Sequence, residues 1–227
     1  MDALGGWRNQ GIEEVMETRR TFPRRQYERR EGGMKRIIVG ITGASGVIYG
    51  IRLLEVLKEQ GMETHLVLTD EAKKNILLET TSTVEDVEGL AYRVHNIRDL
   101  AAPISSGSFT TDGMVIAPCT IKTLSGVAHS YSENLLLRAA DVTLKERRTL
   151  ILVVRETPLH KGHLELMNRV ADLGGIILPP VPAFYHSPRS ISDLIDYTIG
   201  KILDVMKIDN SLYKRWEGAS VKKEKKT

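Results

Sequence analysis

A glycine-rich turn within residues 36–50 has the residue types and spacing best suited to chemistry. The run RIIVGITGASGVIYG places branched apolar residues before a series of glycines, with Thr42 and Ser45 between them. A strand that turns through small residues into a helix directs several backbone N–H groups at one point, which suits a phosphate or another electron-rich group. No Gly-Lys-Ser/Thr follows, and the glycines do not form a strict G-x-G-x-x-G. The turn alone therefore fits two interpretations, a nucleotide-like ligand and an ordinary tight turn.

Polar side chains also follow the other strands that the apolar runs predict. Thr69 ends the second run, Thr120 and Thr123 follow the third, and Arg155 and Glu156 follow the fourth. Ligands of parallel α/β sheets bind at the carboxyl ends of the strands, so these residues predict one collected site. The helix that starts after the third strand offers free N–H groups to an anion, and an arginine adds a forked charged contact. The two threonines would equally serve as ordinary helix caps.

Strands and helices alternate along the chain from residue 34. The predicted strands are 36–42, 64–69, 113–118, 149–154 and 175–180. The predicted helices are 47–60, 70–79, 83–93, 120–129, 133–146, 160–173 and 190–207. Short apolar strands separated by helices indicate a parallel sheet covered on both faces. We therefore expect a single-domain, Rossmann- or flavodoxin-like α/β fold with three α/β/α layers and a mainly parallel sheet.

The length and composition favour one domain between two charged segments. A chain of 227 residues with 41% apolar content can bury one core, which we place in residues 34–213. Residues 1–33 lack a sustained apolar period and are predicted to form a charged, flexible extension. Residues 214–227 are predicted to form a basic C-terminal tail.

Charge and hydropathy argue against several functional classes. The net charge is +3, but residues 1–35 contribute +2 and residues 214–227 contribute +4, so residues 36–213 carry −3. The body therefore offers no electrostatic case for binding nucleic acid. No apolar run approaches the ~18 residues of a membrane span, and the N-terminus has no secretory signal pattern. The single cysteine, Cys119, suits a reducing cytoplasm and is expected to be a small buried residue rather than a nucleophile.

Five segments of the chain together resemble the UbiX flavin prenyltransferases, a family long described as aromatic-acid decarboxylases. They are GITGASGVIYGIRLL, ISSGSFTTDGMVIAPCTIKTLSG, RAADVTLKERR, VRETPLHKGHLELM and PPVPAFYH, and the resemblance spans residues 35–217. It implies binding of reduced FMN and dimethylallyl monophosphate without a metal, attachment of the prenyl carbon to flavin N5, and ring closure at C6. The implied product, prenylated FMN, serves a UbiD-type decarboxylase. The family typically assembles as a homododecamer with active sites where subunits meet.

The resemblance also assigns residues to the two ligands. FMN is expected to contact Gly43, Ala44, Ser45, Thr69, Thr120, Ile121, Lys122, Thr123 and Arg155. Dimethylallyl phosphate is expected to contact Ser106, Gly107, Arg138, Lys145, Tyr185 and Lys201. Without the resemblance, two cations on one helix face, such as Arg138 and Lys145, would be better explained as a solvated stripe. Many relatives carry arginine where this chain has Lys201, and lysine offers a point charge in place of a rigid fork.

Ser45, Glu79 and Glu156 are the residues that the resemblance makes candidates for catalysis. Ser45 would lie beside flavin N5, and ring closure at C6 must release a proton that a nearby carboxylate could accept. On the sequence alone, Glu79 is better explained as a surface carboxylate at a helix end, and Glu156 about equally well as a paired structural carboxylate. Trp216 matches a late tryptophan of the family and is interpreted either as a lid over the site or as a subunit contact.

Three other functions remain open at this point. Peptidyl-cysteine decarboxylases share the small-residue turn, but they carry Pro-x-Met-Asn where this chain has RETPLHKGHLELM. A non-catalytic, FMN-binding subunit of a decarboxylase complex would need neither Glu79 nor the phosphate-binding cations. Direct decarboxylation of an aromatic acid is the third. The sequence also leaves open which UbiD-type partner is served, and whether the pathway makes ubiquinone precursors or degrades phenolic acids.

Overall fold

A computed structural model describes residues 35–216 and Gly218, and a parallel β-sheet lies at the centre of this part of the chain. Its strands are β1 (Arg36–Ile41), β2 (Glu63–Leu68), β3 (Arg93–His95), β4 (Gly113–Cys119), β5 (Thr149–Val154) and β6 (Ile176–Ile177). These six strands of the described residues lie in the order β3-β2-β1-β4-β5-β6, and each neighbouring pair is parallel. All strands therefore end at one edge of the sheet, the carboxyl edge, and begin at the opposite, amino edge.

Helices connect successive strands, and seven α-helices occur in the described part of the chain. They are α1 (Val47–Glu59), α2 (Asp70–Glu79), α3 (Val84–Glu88), α4 (Ile121–Ala128), α5 (Leu135–Lys145), α6 (Lys161–Asp172) and α7 (Ile191–Val205). A short 3-10 turn, Pro103–Ser105, precedes β4.

Two apolar cores lie on the two faces of the sheet. Ile37, Val39 and Ile41 of β1 belong to the core that α1, α2 and α7 cover. Ile38, on the opposite face of the same strand, belongs to the core that α4 and α5 cover. Successive side chains of a strand point to opposite faces, so an uninterrupted apolar strand must be covered on both sides. The three-layer α/β/α architecture expected from the sequence is confirmed.

Local capping explains why the starts of several helices agree closely with those predicted. Thr69 Oγ1 accepts the N–H of Ala72 at 3.1 Å, and α2 starts at the next residue after Thr69. Ser190 and Asp193 form a reciprocal capping box at the start of α7. Such caps satisfy N–H groups that a helix start leaves without intrahelical partners, so they set the first residue from local sequence.

Two strand predictions are wrong in detail. The structure adds a strand that was not predicted, β3, which starts at Arg93, the last residue of the predicted helix 83–93. The helix in that range, α3, already ends at Glu88. No apolar run marks β3, because Arg93 and Val94 are exposed at the edge of the sheet. The predicted strand 175–180 is reduced to the two residues of β6, since the prolines at the end of that range lack the N–H that a ladder requires.

The predicted extension, residues 1–33, and most of the predicted tail, residues 214–227, lie outside the described residues. The division of the chain into an extension, a domain and a tail therefore stays a prediction. Within the described residues, no helix is both long enough and apolar enough to cross a membrane.

A chain of buried and partly buried polar side chains links β1, β2 and β3. His65 Nδ1 lies 2.8 Å from His95 Nε2, and His65 Nε2 lies 2.9 Å from Glu63 Oε1. Arg36 donates to both oxygens of Glu63, at 2.6 and 2.9 Å, and lies 4.4 Å from the centre of the Phe109 ring. Burial lowers the pKa of His65 and lowers the pKa of His95 to about 4. Both imidazoles are therefore neutral at neutral pH.

We predict that acid reduces the free energy of unfolding through His95. Its folded pKa, about 4, lies below the ordinary 6.5, because burial, followed by the charge interactions with His65 and Arg93, disfavours protonation more than Asp99 favours it. Between these two values the unfolded chain binds a proton that the folded chain does not, so stability falls as the pH decreases. Urea denaturation between about pH 7 and about pH 4 should show the decrease, and His95→Gln should make it smaller. An unchanged pH dependence in this variant would contradict the prediction.

Candidate functional site

The turn after β1 is fixed by the buried hydroxyl of Thr42. Its Oγ1 donates to the carbonyl oxygen of Pro118 at 2.7 Å and accepts the N–H of Thr120 at 3.0 Å. Its own N–H donates to the same carbonyl oxygen at 3.3 Å. One side chain therefore joins the turn after β1 to the end of β4, at the carboxyl edge of the sheet.

Glycine allows the same turn to lie directly on α2. A Cβ at Gly43 would come within 2.3 Å of Glu71 Cβ, and the carbonyl oxygen of Gly43 accepts a bond from Asn75 Nδ2 at 3.0 Å. Gly46 closes the turn with a φ of 97°, a left-handed conformation that glycine adopts without steric cost from a Cβ. Ser45, between them, is exposed at the tip of the turn.

Glu79 reaches from the end of α2 to the start of α1. Its Oε2 accepts the N–H of Gly46 at 2.7 Å and that of Val47 at 3.3 Å. These are among the N–H groups that the start of a helix leaves without intrahelical partners, and a negative charge there is stabilised by the helix dipole. Glu79 is thus a cap of the glycine turn, next to Ser45, and not an isolated surface carboxylate.

Thr69 and Thr120 both cap the helices that follow them. Each Oγ1 accepts the N–H three residues further along the chain at 3.1 Å, and Thr120 Oγ1 also donates to Thr123 Oγ1 at 3.0 Å. The capping interpretation of these threonines is therefore present in the structure. Lys122 extends outwards and lies 3.8 Å from Glu133.

Arg155 holds a buried donor without a partner at the end of β5. Its backbone N–H donates to the carbonyl oxygen of Cys119 at 3.1 Å, whereas its Nε is buried with no hydrogen-bond partner among the described residues. An unsatisfied buried donor is costly, and a ligand carrying acceptor oxygens would satisfy it. Cys119 is fully buried, and burial raises the pKa of its thiol, so it is a small core residue as predicted.

The residues predicted to bind FMN follow β1, β2, β4 and β5, so the structure places them all along the carboxyl edge. The small-residue turn, two helix starts and a buried arginine donor fit a flavin nucleotide, which presents both acceptor oxygens and a flat ring. Glu156 lies at the same edge and is exposed, and its Oε1 accepts the N–H of Thr157 at 3.0 Å. Within residues 35–216 it forms no ion pair, so the alternative of a paired structural carboxylate finds no support.

Four of the residues predicted to bind the prenyl phosphate form one group, which we call the amino-edge group. They are Ser106, Gly107, Arg138 and Lys145. A Cβ at Gly107 would come within 3.1 Å of Lys145 Nζ, and Arg138 Nε donates to the carbonyl oxygen of Ser105 at 3.2 Å. Arg148, next to the start of β5, donates to the carbonyl oxygen of Gly107 at 2.6 Å. The loop is therefore held at the amino edge of the sheet.

Tyr185 and Lys201 lie in a second group, beside α7. The ring of Tyr185 lies 5.6 Å from that of Trp216 and 6.1 Å from that of Tyr197. Desolvation and Tyr197 raise the pKa of Tyr185, and the positive charges of Lys201 and Arg215 act against this rise. In the described residues, no hydrogen bond, ion pair or ring contact joins this group to the amino-edge group. One chain therefore presents the predicted phosphate ligands as two separate sets.

Comparison with known proteins places the chain in a family. A model of the Flavoprotein family matches residues 25–216. Flavin prenyltransferase UbiX of Escherichia coli K12 is 57% identical over 189 residues, which are 82% of this chain and 100% of that protein. The chain belongs to the UbiX family of flavin prenyltransferases. Another UbiX-family protein, flavin prenyltransferase LpdB of Lactiplantibacillus plantarum, is 50% identical over 186 residues, with 82% and 100% of the two chains covered.

Solved structures of UbiX proteins share the fold. AnUbiX (PadA1), in complex with FMN and dimethylallyl pyrophosphate, is 47% identical with a TM-score of 0.81, covering 82% of this chain and 100% of that one. A dodecameric FMN-dependent UbiX-like decarboxylase from Escherichia coli O157:H7 is 46% identical with a TM-score of 0.79, covering 81% and 100%. The cypemycin decarboxylase CypD, at 15% identity and a TM-score of 0.54, shares the fold alone. The flavodoxin-like α/β fold predicted for this UbiX-family chain is confirmed.

The sequence interpretation missed three residues that position the UbiX-type site. Thr42 lies in the glycine turn, but its partner Pro118 is 76 residues away, so no local signal identifies the bond. Asn75 and Arg148 each hold a backbone carbonyl oxygen of a predicted ligand-binding residue. An asparagine inside a helix and an arginine before a strand are too common in sequences to indicate such a role.

We predict that Thr42→Val destabilises the protein and weakens FMN binding, whereas Thr42→Ser does neither to the same extent. Valine keeps the shape but leaves the Pro118 carbonyl and the Thr120 N–H without this partner, which costs ~1–3 kcal/mol for a buried group. Urea unfolding and flavin-fluorescence titration measure the two effects. Equal behaviour of the valine and serine variants would show that the hydroxyl does not hold the two turns together.

Proposed function

We propose that this protein joins the prenyl group of dimethylallyl monophosphate to reduced FMN and so produces prenylated FMN. The observation that carries the proposal is the 57% identity to the Escherichia coli flavin prenyltransferase over the whole length of that protein. The carboxyl edge of the sheet supports it, because the residues that follow β1, β2, β4 and β5 lie along that edge and the buried, unsatisfied Arg155 Nε could donate to an acceptor oxygen of a flavin nucleotide.

FMN would be held by the residues that follow four strands. The turn of Gly43, Ala44 and Ser45 leaves room for close approach of the ring, and the capped helix start at Thr120–Thr123 offers N–H groups. Thr69 would add a contact from the end of β2, and Arg155 would direct its free donor at an acceptor oxygen. Reduced FMN, when bound, supplies the N5 and C6 positions to which the prenyl group becomes attached.

The prenyl phosphate would be held by both phosphate-binding groups, contributed by different copies of the chain. In this arrangement the amino-edge group of one copy meets Tyr185 and Lys201 of another. The phosphate is also the leaving group, and fixed cations and hydroxyls stabilise the negative charge that develops on it. A homododecamer is the assembly that we propose, since the Escherichia coli O157:H7 relative is described as dodecameric.

Glu79 and Glu156 are the proposed proton acceptors for ring closure, with Ser45 beside N5. Two backbone N–H groups already orient the Glu79 carboxylate at the glycine turn, so it needs little rearrangement to accept a proton there. Glu156 is exposed next to Arg155 at the same edge, and its carboxylate would exchange the N–H of Thr157 for a ligand there.

The product would be transferred to a UbiD-type decarboxylase. Ubiquinone precursor synthesis and breakdown of phenolic acids both remain compatible with this partner. The cytoplasmic location expected from the sequence stays a prediction.

Direct decarboxylation is the second candidate, because some similar structures are described as decarboxylases. One is the phenylacrylic acid decarboxylase from Aquifex aeolicus, which is 41% identical with a TM-score of 0.73. Incubation of the purified protein with reduced FMN and dimethylallyl phosphate without oxygen, followed by mass spectrometry of the flavin, separates the two. Prenylated FMN would support our proposal, whereas carbon dioxide released from a phenolic acid by the protein alone, with no modified flavin, would overturn it.

We predict that Glu79→Gln separates capping from proton transfer. The glutamine carbonyl can still accept the N–H groups of Gly46 and Val47, so FMN binding and the thermal midpoint should stay close to wild type. Loss of the carboxylate should slow formation of the ring-closed product by ~100-fold or more, the usual contribution of a general base. Glu79→Ala should lower both product formation and FMN affinity. Unchanged turnover in the glutamine variant would remove Glu79 from catalysis.

We predict that Lys201→Ala weakens dimethylallyl phosphate far more than FMN. The lost ammonium is one of the charges available to the phosphate, and it lies away from the carboxyl-edge turn. Lys201→Arg should retain or improve phosphate binding, because guanidinium offers a fork for two oxygens. Isothermal titration with each ligand measures the two affinities. Equal losses of affinity for both ligands would argue that Lys201 has no specific role.

A further inference from the structure

The carboxylate of Asp204 on α7 is shared by side chains from the segment that follows the helix. Tyr213 OH donates to Asp204 Oδ2 at 2.6 Å, and Asn210 Nδ2 donates to Oδ1 at 3.0 Å. Arg215 contacts both oxygens, with Nη2 2.7 Å from Oδ1 and Nη1 3.2 Å from Oδ2. These bonds lower the pKa of Asp204 although burial acts in the opposite direction. The carboxylate is therefore charged and has several donors from one segment.

The segment that carries these donors is docked closely on α7. A Cβ at Gly200 would come within 2.4 Å of the Tyr213 ring, so the ring lies directly on the helix backbone. Tyr213 also lies 5.0 Å from the ring of Tyr197, and the guanidinium of Arg215 lies 5.6 Å from the Tyr213 ring. Gly200 immediately precedes Lys201, so this docking takes place beside a proposed phosphate ligand.

Among the described residues, Lys201 is the second cation that forms an ion pair with Asp204. Its Nζ lies 3.9 Å from Asp204 Oδ2, at the far limit of an ion pair, whereas Arg215 approaches to 2.7 Å. The two residues are three apart on α7, a spacing that allows a closer pair. If Arg215 were removed, the Asp204 carboxylate would therefore move towards Lys201 and neutralise the positive charge of the Lys201 ammonium.

We infer that Arg215 is a positioning residue that holds Asp204 away from Lys201 and so keeps the Lys201 ammonium available to the phosphate of the prenyl substrate. Arg215 is suited to this role because its planar fork engages both carboxylate oxygens, which a lysine cannot do. The inference rests on the proposed function, which assigns Lys201 to dimethylallyl phosphate. It assigns a task to a residue outside both predicted ligand sets.

A four-variant comparison tests the inference, with dimethylallyl phosphate and FMN titrated separately. Arg215→Gln should weaken dimethylallyl phosphate about five-fold, as expected when a competing carboxylate compensates one partly exposed charge, and leave FMN unchanged. Adding Asp204→Asn to Arg215→Gln should restore the affinity to within about two-fold of wild type, because the competing charge is gone. Asp204→Asn alone should also stay within about two-fold. Arg52→Gln is the matched control, since Arg52 of α1 forms a 2.7 Å ion pair with Asp196, which lies on α7 as Asp204 does.

Recovery in the double variant is the result that a purely structural role of Arg215 would not give. If the double variant bound dimethylallyl phosphate as weakly as Arg215→Gln does, or more weakly, the segment would act by packing. That result would overturn the inference. The inference would also be overturned if Arg52→Gln lowered the affinity for dimethylallyl phosphate as much as Arg215→Gln does. The NMR signal of the Lys201 ε-carbon, recorded without ligand, should move in Arg215→Gln and return in the double variant. If wild type bound no dimethylallyl phosphate, the proposed function would fail, while this signal would still decide whether Arg215 controls the Asp204–Lys201 pair.

Discussion

A single buried hydroxyl, that of Thr42, connects the two turns on which the flavin site depends. It donates to the end of β4 and accepts from the N–H of Thr120, the cap of α4. The glycine turn and the α4 start come from segments far apart in the chain, and the hydroxyl adds a side-chain bond beyond the last pair of the β1–β4 ladder, Gly40 and Ile116. Because the hydroxyl is buried, losing either partner would leave a polar group without water to replace it. The relative position of the two turns is therefore fixed before any ligand binds.

At the same turn, Glu79 caps a helix and is also the proposed proton acceptor. The start of α1 has no side-chain cap of its own, and the carboxylate of Glu79 supplies one from α2. The proposed proton acceptor is thus held by the helix start that it stabilises. Such an arrangement explains how a carboxylate at a helix end can be oriented without being buried. It also means that a substitution there affects both the turn and the chemistry unless the acceptor oxygen is kept.

At the opposite edge of the sheet, two arginines support the loop that carries Ser106 and Gly107. Arg36 donates to the carbonyl oxygen of Thr110 at 2.9 Å, and Arg148 donates to that of Gly107. The buried histidine chain reaches the same loop through the packing of Phe109 on His65, with ring centres 5.1 Å apart. A buried polar network therefore stiffens the proposed substrate loop, although none of its members is a proposed ligand. The two phosphate-binding groups stay apart in one chain, which makes assembly part of the proposed site.

Local sequence determined much of the fold and of the flavin site. The limits of α2 and β5 agree with those predicted, because a threonine cap and an apolar run mark them directly. The predicted flavin ligands lie together because parallel strands all end at one edge, a consequence of topology that the alternation of elements already implies. The UbiX resemblance then attached a chemistry to that edge.

Only the tertiary structure decided the features that rest on distant pairs. The strand β3 exists because its three residues pair with β2, not because their own sequence favours a strand. Glu79 is a cap, and Arg215 a partner of Asp204, because folding brings together groups with no recognisable spacing. Lys145 and Lys201 are apart because the helices that carry them, α5 and α7, cover opposite faces of the sheet. Sequence patterns record what a residue and its near neighbours favour, whereas these contacts depend on where the whole chain puts them.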